Sequence, residues 1–287
     1  MLGPMRPTAF LLLPLFSLLL QAPACGPRTA PRPPEPIRLD LPAFTGPRDA
    51  CFVVTDGRGQ IVAREGGDRC ARRFSPCSTF KIPNTLIGLE TGILTGPDTV
   101  IPWDRERYPQ EAWWPPEWTD RVHDLRSAFA HSFVPYYRAL ATRVGRAAMV
   151  RHLAAFAYGN QVIGERLDAF WLDGALRISA DEQVRFLRAL HLGQLGVSAR
   201  SREVLREIMI QESRDGHILR AKTGTGGGDG GREALGWLVG TVERGARVHF
   251  FAFNVSASTP DAIGRAWRFD VLRALLAELG LWPRVEK

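Results

Sequence analysis

The sequence predicts an α+β fold: a mixed or antiparallel sheet assembled from strands at both ends of the chain, flanked by helices, with a helical insert between. Three observations predict it. Short β-branched and aromatic runs bounded by turn residues stand early, at residues 51–55 and 60–64. Three more stand late, at residues 218–223, 234–242 and 247–255. Between the two groups, apolar residues recur at helical spacing. The insert is placed at about residues 95–210, inside a catalytic domain spanning 48–287.

Taken in order, the chain opens with a basic start (Arg6), an apolar stretch at 9–20 and the small-x-small triplet Ala22-Pro23-Ala24. That pattern predicts a signal peptide over 1–24, and the apolar stretch is short for a membrane span. Cleavage there leaves Cys25 first, so simple cleavage and lipid anchoring through Cys25 both stay open. Residues 25–47 read as a tether, Pro-rich between Pro27 and Pro36. The two early strands are joined by Asp56-Gly57-Arg58-Gly59, a hairpin signal. A helix is expected from Ser78 to about Glu90, then a Pro- and Trp-rich covering segment over 91–120. Helical spacing resumes over 124–157 with a break around Ser132-Phe133-Val134-Pro135. Ser179 and Glu182 form a capping box opening a helix toward Leu192. The last two strands meet at the turn Glu243-Arg244-Gly245-Ala246, and an amphipathic helix over 260–280 closes the chain.

Composition narrows the function. In 287 residues, 45% are hydrophobic, enough for a sizeable core, and the formal charge is +7. The arginines lie scattered among acids instead of forming a basic stripe, which argues against a nucleic-acid partner. The six histidines are dispersed, and no Cys-x-x-Cys pair exists, so no metal is expected. Export permits disulfides. Cys51 and Cys70 would bridge the first hairpin if Cys25 is lipidated or lost, leaving Cys77 as a buried thiol. The sequence does not choose among the possible pairings.

Chemistry concentrates at Ser78-Thr79-Phe80-Lys81. Three residues apart on a helix, the amine of Lys81 reaches the hydroxyl of Ser78, and a serine needs such a base to become a nucleophile. The helix N-terminus favours negative charge developing there. Of 37 basic residues only Lys81, Lys222 and Lys287 are lysines. Arginine keeps its proton, whereas a buried lysine shifts toward neutrality, and Lys81 lies among Phe80, Ile82 and Pro83. Lys222-Thr223-Gly224 ends a predicted strand, and Ser132 stands at a helix break. Ser-x-x-Lys, a central Ser-x-Asn element and Lys-Thr-Gly occur together in β-lactamases and penicillin-binding proteins.

These segments resemble those of class D (oxacillinase-type) β-lactamases. Residues 74–84 resemble the nucleophile segment, Ser132-Phe133-Val134 the Ser-x-Val element and Tyr158-Gly159-Asn160 the Tyr-Gly-Asn element. The stretch at 170–174 resembles the tryptophan segment, and Ala221-Lys222-Thr223-Gly224-Thr225-Gly226 the late strand. The resemblance covers residues 48–280 and implies a β-lactamase/transpeptidase-like domain that hydrolyses penicillins in the bacterial periplasm and confers resistance. It implies Ser78 as nucleophile and Lys81, carboxylated by CO₂ or bicarbonate, as general base, with no bound cofactor. It implies Ser132 as proton relay, Lys222 as its support, and Trp171 as an indole donor to the carbamate. Backbone N–H groups of Ser78 and Thr225 would form the oxyanion hole. Val134 keeps the pocket dry, Tyr158 and Asn160 brace it, and Gly224 admits the substrate. Thr223 and an arginine of the last helix, Arg265 with Arg268 as competitor, would take the substrate carboxylate. Trp113-Trp114 would wall the cleft or belong to the core, and the glycine-rich run at 226–231 would tune the substrate range. A non-hydrolytic sensor, a cell-wall DD-peptidase and a binding lipoprotein are the alternatives. Val134 speaks against the peptidase, and the retained lysines speak against simple binding. Monomer and homodimer both stay open.

Overall fold

In the computed structural model, residues 35–228 and 233–284, with Gly3, are described, and residues 35–287 belong to one compact unit. The export segment, Cys25, most of the Pro-rich stretch, Asp229–Arg232 of the glycine-rich run and Lys287 lie outside the described residues. Among the described residues no helix is long and apolar enough to cross a membrane.

β1 (Ala50–Asp56) and β2 (Ile61–Glu65) form the early hairpin. Late in the chain come β3 (Ile210–Arg214), β4 (His217–Gly227), β5 (Ala234–Arg244) and β6 (Arg247–Ala257). The sheet runs β2-β1-β6-β5-β4-β3, and every pairing is antiparallel. Of the two arrangements the sequence allows, mixed or antiparallel, the antiparallel one is realised: β1 pairs with β6, and consecutive strands pair in the rest of the sheet. Successive strand residues face opposite sides. Cys51 and Val53 of β1 therefore enter one core with Phe80 and Phe129, while Phe52 and Val54 enter the other with Leu272 and Leu275. Both faces are covered, which is why these strands read as continuous apolar runs. A disulfide joins Cys51 to Cys70, and Cys77 is free and buried.

Before β1, Ile37 donates its N–H to Val62, and α1 (Leu41–Thr45) buries Leu41, so this stretch is folded onto the domain. The remaining helices are α2 (Lys81–Glu90), α3 (Leu125–Ala130), α4 (Val134–Val144), α5 (Arg146–Ala155), α6 (Ala180–His191), α7 (Ala199–Ile208) and α8 (Arg265–Glu278). The capping box of Ser179 and Glu182 opens α6, with both reciprocal bonds made. The helix expected from Ser78 begins as a tighter 3₁₀ turn over Cys77–Phe80 and becomes α-helical at Lys81. The covering segment is irregular apart from a 3₁₀ turn at Pro116–Trp118.

Candidate active site

Ser78 sits on a turn fastened from three sides. Cys77 N–H and Ser75 Oγ both donate to the Trp171 carbonyl, at 3.1 and 2.7 Å. The indole N–H of Trp237, on β5, donates to Ser75 O at 2.9 Å. β4 lies so close to this turn that a Cβ on Gly224 would stand 2.9 Å from Pro76 O, and one on Gly226 2.6 Å from Cys77 Sγ. Glycine at both positions is therefore a packing requirement, whatever it also does for a substrate.

Lys81 is 1% exposed, and its Nζ donates to Ser78 Oγ at 3.0 Å. Burial pushes the Lys81 amine down to about 7, with the Tyr137 ring 5.0 Å away. The second pair repeats the motif: Lys222 Nζ donates to Ser132 Oγ at 2.9 Å and to Thr223 O at 3.2 Å. Burial lowers the Lys222 amine well below the ordinary lysine value, and the like charges of Lys81, Arg265 and Arg268 lower it further. Ser132 occupies the left-handed region at φ 61°, an unusual conformation for a residue with a Cβ, at the break between α3 and α4. That break aims Ser132 into the cleft.

The cleft holds about 600 Å³ and is bordered by Ser78, Ser132, Val134, Thr223, Thr225 and Arg265, among others. Three of the expected substrate-contacting residues stand behind it instead. Tyr158 is fully buried, its OH taking a bond from Gln183 Nε2. Asn160 donates to Ala175 O at 2.9 Å and accepts from Arg177 N–H at 2.9 Å, which ties its loop together. Trp171 is buried with its ring stacked on Phe80 at 5.2 Å, and its indole N–H has no hydrogen-bond partner among the described residues. A buried donor left unpaired is costly and marks a place for an acceptor.

The two competing arginines divide. Arg268 is buried and committed to the strands, donating to Gly224 O, to Trp237 O at 3.1 Å and to Thr225 Oγ1 at 2.9 Å. Burial lowers its proton affinity to about 10. Arg265 is exposed at the cleft, with Nη2 donating to Gln211 Oε1 at 2.7 Å.

The adjacent tryptophans divide too: Trp114 is 9% exposed and belongs to the core, while Trp113 is 63% exposed and borders the cleft. Glu111 and Leu172 also border it without any forecast from the sequence. The Trp-rich composition of 91–120 was the available signal for this wall. No group of three or more His, Cys, Asp and Glu side chains suited to a metal occurs among the described residues.

Comparison with known proteins adds an independent line. Residues 50–277 match the family model described as the penicillin binding protein transpeptidase domain. Beta-lactamase OXA-48 of Klebsiella pneumoniae is 41% identical over 196 residues, covering 68% of this chain and 71% of that protein. The regulatory protein BlaR1 of Bacillus licheniformis is 31% identical over 75% of this chain, but only 34% of that longer protein is covered. Among solved structures, the class D beta-lactamase YbXI from Nostoc superposes with a TM-score of 0.77 at 32% identity, covering 85% of this chain and 100% of that one.

Proposed function

The chain belongs to the class D β-lactamases, within the penicillin-binding protein transpeptidase domain family, and from that premise we propose that it hydrolyses β-lactam antibiotics through an acyl-enzyme on Ser78. The observation that carries the proposal is the 3.0 Å contact between Ser78 Oγ and a lysine whose amine burial has brought to about 7. Burial of that amine favours its unprotonated form, which is able to accept a proton.

As Ser78 Oγ attacks the lactam carbonyl carbon, its proton passes to Lys81 Nζ across their 3.0 Å contact, and the carbonyl oxygen takes up negative charge. Backbone N–H groups of Ser78 and Thr225 receive that oxyanion, each donor being worth about 3–4 kcal/mol in such sites. As the C–N bond breaks, the lactam nitrogen takes its proton from Ser132 Oγ, and Lys222 re-supplies Ser132 through their 2.9 Å bond. Once solvent has carried that proton from Lys81 to Lys222, the neutral Lys81 takes a proton from the water that attacks the ester carbonyl and passes it to Ser78 Oγ as the ester C–O bond breaks. Thr223 and Arg265 hold the substrate carboxylate, while Arg268 keeps β4 in place.

The surroundings of Lys81 fit carboxylation. CO₂ adds only to a neutral amine, which burial favours, and the unpaired indole N–H of Trp171 is a ready donor for a carbamate oxygen. Carboxylation would supply a carboxylate general base beside Ser78. Export to the periplasm, as a soluble protein or one held by lipid at Cys25, completes the reading.

The test follows a chromogenic β-lactam with purified protein, with and without added bicarbonate. Many product molecules per protein, formed faster with bicarbonate, are expected. One product per protein followed by a stall would instead make the chain a penicillin sensor, the reading that the similarity to BlaR1 favours.

A further inference from the structure

Among the residues that the covering segment brings to the cleft are Glu111 and Trp113, which the hydrolytic machinery does not use. Trp113 donates its indole N–H to Glu111 Oε2 at 2.7 Å, and Trp114 N–H donates to Glu111 O at 3.0 Å. The Trp113 ring stands edge-on to Trp114 at 6.2 Å and to Trp118 at 5.5 Å. That base is anchored to the central motif: Trp114 and Trp118 pack on Phe133 at 6.4 and 5.8 Å, and Trp118 Nε1 donates to His131 O at 2.8 Å. Trp113 is thus a large ring held in one orientation yet 63% exposed, facing the cleft that holds Ser78 and Ser132. A scattered exposed aromatic needs no explanation, but one fixed in place beside a nucleophile offers a stacking platform.

Glu111 gives that platform a sign. It is the one carboxylate among the described residues bordering the cleft, where the other charged groups are cationic. Of these, Arg138 is paired with Asp168 at 2.9 Å, and Arg268 is spent on the strands. The β4 and α8 side of the cleft therefore receives an anion, and the covering-segment side receives an aromatic group and a cation.

Resting on the hydrolytic reading, we propose that Glu111 and Trp113 form a side-chain subsite selecting β-lactams whose acylamino group carries an aryl ring next to an ammonium. The ring packs on Trp113, and the ammonium lies against Glu111 and the indole face. A carboxylate in the ammonium's place meets Glu111 as a like charge.

The test compares three penicillins that differ only at the α-carbon of a benzyl side chain: unsubstituted, α-amino and α-carboxy. Assays run at pH 6.5, below the ordinary α-amino range of about 7.7–8.0, with bicarbonate present. For the native protein kcat/KM is expected to fall in the order α-amino, unsubstituted, α-carboxy. Glu111→Gln should cut the α-amino preference about two- to fivefold, the size of an exposed charge pair. It should raise the α-carboxy substrate relative to the unsubstituted one. Trp113→Ala should lower the preference for benzyl over an alkyl side chain about two- to tenfold. Glu111→Gln changing all three substrates by one common factor would overturn the subsite alone. Failure of the native protein to turn over any of the three would overturn the hydrolytic reading, and the subsite with it.

Discussion

Lys81 and Lys222 occupy the same site, each donating to a serine hydroxyl at 3.0 and 2.9 Å, yet their surroundings differ in kind. Around Lys81 one cause dominates: burial among Phe80, Tyr137 and the aromatic stack, bringing the amine to about 7. Around Lys222 burial is joined by three cations, Lys81, Arg265 and Arg268. Desolvation alone makes a base whose strength follows the dryness of its pocket. Desolvation with like charges makes a proton donor embedded in a positive field, suited to feeding a leaving group beside an anionic substrate. The two lysines are therefore not copies of one device, and they should fail differently.

The largest effect is expected from the same substitution made at both. Lys81→Arg keeps a cation but removes a group able to give up its proton. It should lower kcat by about 10³-fold, within the 10²–10⁴ range of a general base. A burst of one product per protein should remain, measured by rapid-quench kinetics. Lys222→Arg retains both the positive field and a donor for Ser132, so its loss should be nearer 10²-fold and fall on acylation, with no burst. Equal losses in the same step would erase the distinction drawn above.

A smaller effect sharpens the Lys81 side. Trp171→Phe preserves the stack on Phe80 and removes only the unpaired indole N–H. If that N–H serves a carboxylated Lys81, the variant should need about tenfold more bicarbonate for half-maximal rate, in line with loss of one bond to a charged group. At saturating bicarbonate most of the native rate should return. An unchanged bicarbonate dependence would leave Trp171 as a packing residue.

Which of these parts could be read from the sequence depended on whether their physics was local. β1, β5 and β6 were legible because burial on both faces writes largely apolar runs, and β4 because Ile218 and Leu219 lead into the Lys222-Thr223-Gly224 motif. β3 was not: Gln211, Glu212, Ser213 and Arg214 form a polar strand at the sheet edge, paired with β4. α7, rich in arginine, likewise left no clear signal. Ser78, Lys81, Ser132 and Lys222 were legible as motifs, since their chemistry fixes residue type and order. The division between Trp113 and Trp114 was not, because neighbouring indoles look alike until Phe133 buries one and leaves the other at the cleft. Arg265 and Arg268 are three apart on α8 and share one helix face, so spacing could not separate them.

The overlooked strand and the ambiguous arginine meet in one contact, which supplies the smallest expected effect. Gln211 of β3 accepts from Arg265 at 2.7 Å, and its own amide lies 3.3 Å from Met209 O. The sheet edge thus orients the guanidinium at the cleft, while Arg268 is held inside the fold by Gly224, Trp237 and Thr225. Gln211→Ala leaves Arg265 charged and still over the Phe269 ring at 4.7 Å, but without the hydrogen bond that aims it at the cleft. KM for a penicillin should rise about two- to fivefold with kcat unchanged, the worth of one exposed hydrogen bond. Arg268→Ala removes bonds to buried backbone carbonyls, so it should lower thermal stability and kcat together. If Gln211→Ala leaves KM untouched while a milder Arg268→Lys raises it alone, the carboxylate belongs to Arg268 and β3 has no part in holding it.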